Sequence, residues 1–391
     1  MTKGASQDTQ FLLAAYPKSS TTKEDRGKET WGPVLQALAQ SFGYCFEGKW
    51  PPGTPLAGTQ LVPGDYRLVV WSLLGDHEYF SNVLGLAHWR NASLCWCCNA
   101  QQNNWKVSAP ELREWRCKTA EEIRADQPEH AFFTIPGVSS MMVAHDLLHA
   151  LFCKGVLSHL MGGAMHVWLW PTRSHRRPAG ETAASALGVI FSRVQELYKD
   201  HKSTTRLTNL RLSMFMDEAK HWKSEPVLKI KGSEAKPLLP CLTTYSKEIN
   251  KGSDHDERLV AAFESIFNFV KLIDESGDFL TTGEADLALE LCLAFLDHSE
   301  GLEEWALQAD RLEYHRVPKY HMLLHLAEQA RYLNPKLQWC FKSEDFVGKM
   351  ATLGHSVSMS VASHRLSMKL CAKYRVFLHL RFTRDDCFDN E

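Results

Sequence analysis

The chain has 391 residues, 44% hydrophobic and 23% charged, a composition that suits a globular protein and excludes wholesale disorder. Its 44 Lys and Arg against 46 Asp and Glu leave a formal net charge of −2, so it is no uniformly basic DNA-coating protein, and any nucleic-acid surface is a local patch. Eleven cysteines are too few for a secreted disulfide scaffold, so the expected setting is nuclear or cytoplasmic, neither secreted nor membrane.

Residues 1–30 are polar and read as a flexible leader. Their short apolar run, Phe11 to Tyr16, lacks the features of a signal peptide, and no stretch approaches the roughly 18 apolar residues of a membrane span. Trp31 to Phe46 has helical spacing through Val34, Leu35, Leu38 and Phe42. A loop rich in Pro and Gly follows, from Pro51 to Gly64. Arg67 to Leu74 is short, β-branched and apolar, and predicts a buried strand with Asp76 just beyond it. Residues 78–92 predict a helix, and 99–135 are polar and Trp-rich without a period.

From about residue 180 the chain is mostly helical. Helices are expected over Thr182 to Lys199, along the apolar stripe Leu259 to Ile273, and from the capping pair Thr281 and Glu284 to about His298, before Gly301. Pro318 suits the first turn of a fourth helix running to about Leu333, and a fifth is expected over Ser360 to about Phe382.

Several residues carry chemistry. Cys95 and Cys98 form a C-x-x-C pair, and His321 and His325 lie at i and i+4 on one helix face. Two thiolates and two imidazoles make a tetrahedral zinc set. A chance C-x-x-C and a pair of core histidines are the plain alternative. Asp76 is placed to project from a sheet into a cleft or, equally simply, to cap a helix. Asp146 and His149 form a D-x-x-H unit inside an apolar helix face, either a functional pair or a structural one. Glu344 follows His325 by nineteen residues and also fits an ordinary helix start. No Asp or Glu occurs from Phe346 to Arg384, a stretch that holds Lys349, Arg365, Lys369, Lys373 and Arg375. Arg365, Lys369 and Lys373 are spaced by four and share a helix face suited to phosphates, unless the run is simply a solvated face. Arg173, Arg176 and Arg177 form a second short basic element.

Taken in order, Gly75-Asp76, Cys95–Cys98, Asp146–His149, the helical block, His321–His325 and Glu344 resemble the transposases of CACTA-type DNA transposons, of the CMC superfamily of DDE enzymes. They are distantly similar to the recombinase that rearranges antigen-receptor genes. The resemblance covers roughly residues 60–385. It implies an α+β, mostly helical chain, with a partial RNase H-like core interrupted by a large all-helical insertion and clamped by structural zinc. The implied organisation is a leader (1–30), a partial core with the Cys half-site (31–175), a helical insertion (176–317), and the His half-site, catalytic Glu and basic C-terminal helix (318–391). Asp76 and Glu344 would be the second and third acids of a D-D-E set holding Mg²⁺ or Mn²⁺, and DNA, as transposon ends, the partner, with possible homo-oligomers. The first acid has no counterpart, because Asp8, Asp25 and Asp65 lie in polar or turn-like settings. That departure implies an N-terminally truncated, degenerate copy. The alternative is a catalytically inactive zinc-binding protein that engages DNA or protein.

Overall fold

The computed structural model describes residues 28–170, 182–203, 205–217, 223–358 and 361–385, with Gln10, Leu12, Leu13 and Ala15. The chain is mostly helical. The N-terminal part contains α1 (Lys28–Glu47) and two short helices, α2 (His77–Asn82) and α3 (Ala120–Ala125), joined by long irregular segments. Next come α4 (Leu147–Leu151) and α5 (Val156–Leu169), then α6 (Ala183–Asp200), α7 (Gly232–Glu248), α8 (Asp254–Glu275) and α9 (Thr282–Gln308). The chain closes with α10 (Lys319–Gln329), α11 (Phe341–Ser358) and α12 (Ser363–Asp385).

The predicted strand is corrected. Among the described residues β pairing is confined to isolated bridges, and Leu73 pairs only with Val143, in parallel. Leu68, Val69 and Trp71 are exposed, so the run from Arg67 to Leu74 is extended but neither buried nor part of a sheet. A β-branched run supplies the local preference, but a stable sheet also needs neighbouring strands and a covered face. The helix predicted over 78–92 stops at Asn82, because Gly85 takes φ +76° and the Leu86 amide turns back to the Phe80 carbonyl. Gly301 does not end the third predicted helix. It lies inside α9, beneath the Arg258 guanidinium, which a Cβ there would strike at 2.4 Å.

Besides the six-residue α3, three helices escape the periodicity argument. α5 is apolar on all sides and buried throughout most of its length, so it has no polar face to reveal a period. Together with α4 it makes Leu147–Leu169 apolar and long enough to cross a membrane by hydropathy, which corrects the expectation that no stretch is. In the fold most of that stretch is buried, and it is interrupted between Leu151 and Val156. α7 carries Pro237 and Pro240, which remove two helical donors. Burial of Leu238, Leu239, Cys241 and Leu242 offsets that loss. α11 fully buries only Phe346, so its apolar pattern is weak.

One continuous core runs from Leu94 to Cys340. It joins Leu148 and Phe152, the whole inner surface of α5, Val194 of α6, Leu242 of α7, Phe263 and Ile266 of α8, Phe295 of α9 and Leu323 of α10. Each such side chain contributes about 1.5–3 kcal/mol on burial. Gly162 lets α5 approach the 226–228 segment, where a Cβ would lie 2.5 Å from the Pro226 carbonyl oxygen and 2.8 Å from the Leu228 amide nitrogen. A buried ion network anchors the chain just ahead of α10. Glu313 accepts from His166 Nδ1 at 2.6 Å and from Arg311 Nε at 2.9 Å, and Arg311 also donates to the Trp170 carbonyl. Glu303 of α9 accepts from Lys106 at 2.7 Å and from Arg316 Nε at 2.9 Å, tying the 99–118 segment to the approach of α10.

Candidate metal centre and the adjoining acidic cavity

The four predicted metal ligands meet. Cys95, Cys98, His321 and His325 are all buried, and one ligand atom from each lies within 4.8 Å of all the others. Two local structures produce this. The turn from Cys95 aims amides at sulfur, with Cys97 N to Cys95 Sγ at 3.3 Å and Ala100 N to Cys98 Sγ at 3.4 Å. It is braced by the antiparallel Cys98–Cys117 bridge and by the Lys118 amide donating to the Cys97 carbonyl. On the other side, α10 points its two imidazoles inward one turn apart. Their Nε2 atoms stand 3.1 Å apart, and His321 Nε2 is 3.2 Å from Cys98 Sγ. These separations match the about 3.3–3.5 Å that N and S ligands keep around one tetrahedral ion with bonds of about 2.0–2.3 Å.

The surroundings orient the ligands. His325 Nδ1 faces the Glu328 carboxylate at 3.4 Å, which in turn accepts from Arg113 at 2.6 Å. A carboxylate on the far nitrogen fixes the ring and leaves Nε2 for an ion. Trp115 packs edge-on against both imidazoles, with centroids 4.6 and 5.6 Å away. Burial opposes ionisation of Cys95, but hydrogen bonds from the Cys97 and Cys98 thiols, with His325 and His145, hold its thiol well below the usual range. The arrangement could hold a metal ion, and a closed, buried Cys₂His₂ set is compatible with structural zinc.

Beside this cluster lies a cavity of about 540 Å³ that gathers Asp76, Asp146 and His149, together with His145, Trp96 and Lys319. Glu344, on the first turn of α11, does not line this cavity but puts Oε1 3.8 Å from His149 Nε2. Three of the four sequence-predicted acid–base residues therefore line one cavity, and Glu344 touches it only through His149. The local role of Asp146 differs from expectation. Asp146 does not sit within a helix face; it caps α4, and Oδ1 accepts from the Leu148 amide at 2.9 Å and from the Cys340 amide at 3.1 Å. Its Oδ2 is hydrogen-bonded to His149 Nδ1. That bond raises the His149 pKa against partial burial. Asp76 caps α2, accepting from the Tyr79 amide at 2.6 Å, and is exposed, as is Glu344. Among the described residues, the groups of three or more metal-type ligands within 4.8 Å of one another all contain cysteine, and neither Asp76 nor Glu344 belongs to one.

Lys319, one residue beyond Pro318, was not legible as a site residue. Its ammonium donates to the Cys153 and Lys154 carbonyls at 2.7 and 3.0 Å, and burial pulls its pKa down to about 8. His77 and His159 also line the cavity, and burial lowers each to about 4. The basic residues fall on α11 and α12, which pack through Phe346 and Tyr374. Arg365, Lys369, Lys373 and Arg375 are exposed; Lys373 donates to Ser356 Oγ, and Lys349 pairs with Asp345 at 2.8 Å. Arg173, Arg176 and Arg177 lie outside the described residues. No protein-family model, curated protein or solved structure matches the chain.

Proposed function

We propose that the chain is the zinc-stapled core of a transposon-derived, DDE-type transposase, similar to the CACTA group, which binds DNA but has a degenerate set of catalytic acids. One observation carries this. Asp76, Asp146 and His149, far apart in the chain, line one cavity directly beside the Cys95/Cys98/His321/His325 cluster, and Glu344 contacts its His149. Zinc held there would be structural, fastening α10 to the Cys95–Cys98 turn in a closed coordination shell with no open position for chemistry.

The acids fit a catalytic divalent ion poorly. Two-metal phosphoryl transfer needs carboxylates that can bridge ions about 3.5–4 Å apart. Asp146 spends one oxygen on two amides and the other on His149. Asp76 and Glu344, neither of which belongs to a close group of ligands, would be the acids left for Mg²⁺ or Mn²⁺, one carboxylate short of the set. Binding rests instead on the exposed, acid-free face of α12, where Arg365, Lys369 and Lys373 present charge to phosphates. Transposon ends are the natural DNA class, a homo-oligomer the expected working form, and the nucleus the expected site of action.

The test uses the full chain with labelled duplex DNA across a salt series, and Mg²⁺-dependent nicking of supercoiled DNA. Wild type should bind with a steep salt dependence, and the Arg365→Ala/Lys369→Ala/Lys373→Ala variant should lose most of that slope. Nicking should be no greater in wild type than in Asp76→Ala or Glu344→Ala. Absence of DNA binding would favour the protein-interaction alternative, and nicking abolished by Asp76→Ala would overturn the degenerate assignment.

A further inference from the structure

We propose a second metal site, made by Cys95, Cys97 and His145, which shares the Cys95 sulfur with the first cluster and takes zinc. Ligand atoms of the three residues all lie within 4.8 Å of one another, and Cys95 and His145 are buried. Cys97 Sγ stands 3.9 Å from His145 Nε2. That is long for a hydrogen bond, and near the separation of about 3.5 Å that sulfur and nitrogen ligands adopt on one tetrahedral ion.

The chain sets up the sharing. In Cys95-Trp-Cys-Cys98 the odd positions and the final cysteine diverge, so Cys98 turns to His321 while Cys97 turns to His145. Cys95 belongs to both groups, and a thiolate has lone pairs enough to bridge two ions. His145 is held in place by Trp96, 4.4 Å away between centroids, and by near-parallel stacking on His325 at 5.8 Å. Both contacts are with residues adjacent to, or part of, the first cluster, so ordering one site orders the other.

Coordination differs between the two. The first set is complete with four protein ligands, whereas the second has three and keeps a fourth position. Cys97 lines the larger cavity of about 880 Å³, together with Cys117, His325 and Glu328. The open position therefore takes a water from that side or a small thiol or anion. Three protein ligands with an exchangeable fourth is the arrangement of zinc that is accessible to solutes. Two Zn²⁺ against three thiolates leave a single positive charge, next to the Glu328 carboxylate on His325. The site depends on the first cluster holding an ion, not on any nucleic-acid chemistry.

The experiment is metal counting on the full chain, purified with zinc and freed of loosely bound ions by gel filtration. About two zinc ions per chain are expected in wild type and about one in Cys97→Ser and His145→Gln. One ion per chain in wild type, or two retained in both variants, would overturn the proposal. No ion in wild type would sink the first cluster as well. Cobalt titration of the unaltered chain removes dependence on variant folding: two sequential rises in the thiolate-to-cobalt absorption are expected, and one rise ending at a single equivalent refutes the second site.

Discussion

Lowering the free zinc concentration around the protein should lower its melting temperature by an amount that can be worked out in advance. An ion that binds only the folded state stabilises it by about 1.4 kcal/mol for every tenfold rise in free metal above its dissociation constant. Unfolding entropy is about 2.1 cal/mol/K per residue, or about 0.8 kcal/mol/K for a chain of this length. The ratio is a shift of about 1.7 °C per decade of free zinc for each ion bound. Three decades set by a chelator buffer should therefore move Tm by about 5 °C per ion, a shift that calorimetry or circular dichroism resolves. His321→Ala removes the nitrogen that stands 3.2 Å from Cys98 Sγ and 3.1 Å from His325 Nε2, so the slope due to that ion should vanish in it. The reasoning is refuted by a wild-type Tm that ignores free zinc, or by an unchanged slope in His321→Ala.

Other outcomes follow from the packing. Gly162→Ala forces a methyl against the Pro226 carbonyl and should cost about 1–3 kcal/mol in urea unfolding, whereas Gly188→Ala, in open space on α6, should be neutral or stabilising. Arg311→Met strands the buried Glu313 carboxylate and should cost about 3–5 kcal/mol. Although burial opposes ionisation of Glu313, its hydrogen bonds from His166 and Arg311 hold its pKa at about 2, below the unfolded value of about 4.5. Its contribution is thus complete above about pH 4.5 and fades as pH falls towards 2; Glu313→Gln should flatten the acid limb of the stability–pH curve. Asp146→Ala releases two backbone amides, one of them at Cys340, and should destabilise more than Asp76→Ala, which loses an exposed cap worth about 0.5–2 kcal/mol. Equal losses in equilibrium unfolding would contradict the structural role of Asp146.

The metal cluster was the most legible feature, because each half is a short-range pattern. C-x-x-C places two sulfurs on one turn, and a spacing of four places two imidazoles on one helix face. Glu328 is one helical turn beyond His325 and was open to the same argument. Cys97 with His145, and Lys319 with the 153–154 carbonyls, were not, since nothing local links them. The apolar run before Asp76 misled for the opposite reason. Val69 and Trp71 advertise a buried strand, but burial depends on neighbours that the run itself does not encode. Asp146 was read as a charge inside a helix, although Asp just before an apolar helical run is a standard capping signal. Helix α7 was hidden by Pro237 and Pro240, whose cost is met by tertiary burial.

The contact between Cys98 and His321 joins residues 223 apart, and this sets a timetable for biosynthesis. At about 5–20 residues per second, the second half of the cluster leaves the ribosome on the order of 10–40 s after the first. Through that interval the Cys95–Cys98 turn has no imidazole partners from α10. The antiparallel pair α8 and α9, whose contacts are local, can form on its own in microseconds to milliseconds. The nascent chain thus exposes reduced thiols while its helical half is already shaped. Closure waits for α10, so that an ion held by the cluster would act as the final fastener, and a ribosome stalled before His321 presents a thiol pair free to be captured by the wrong ion or by an oxidant.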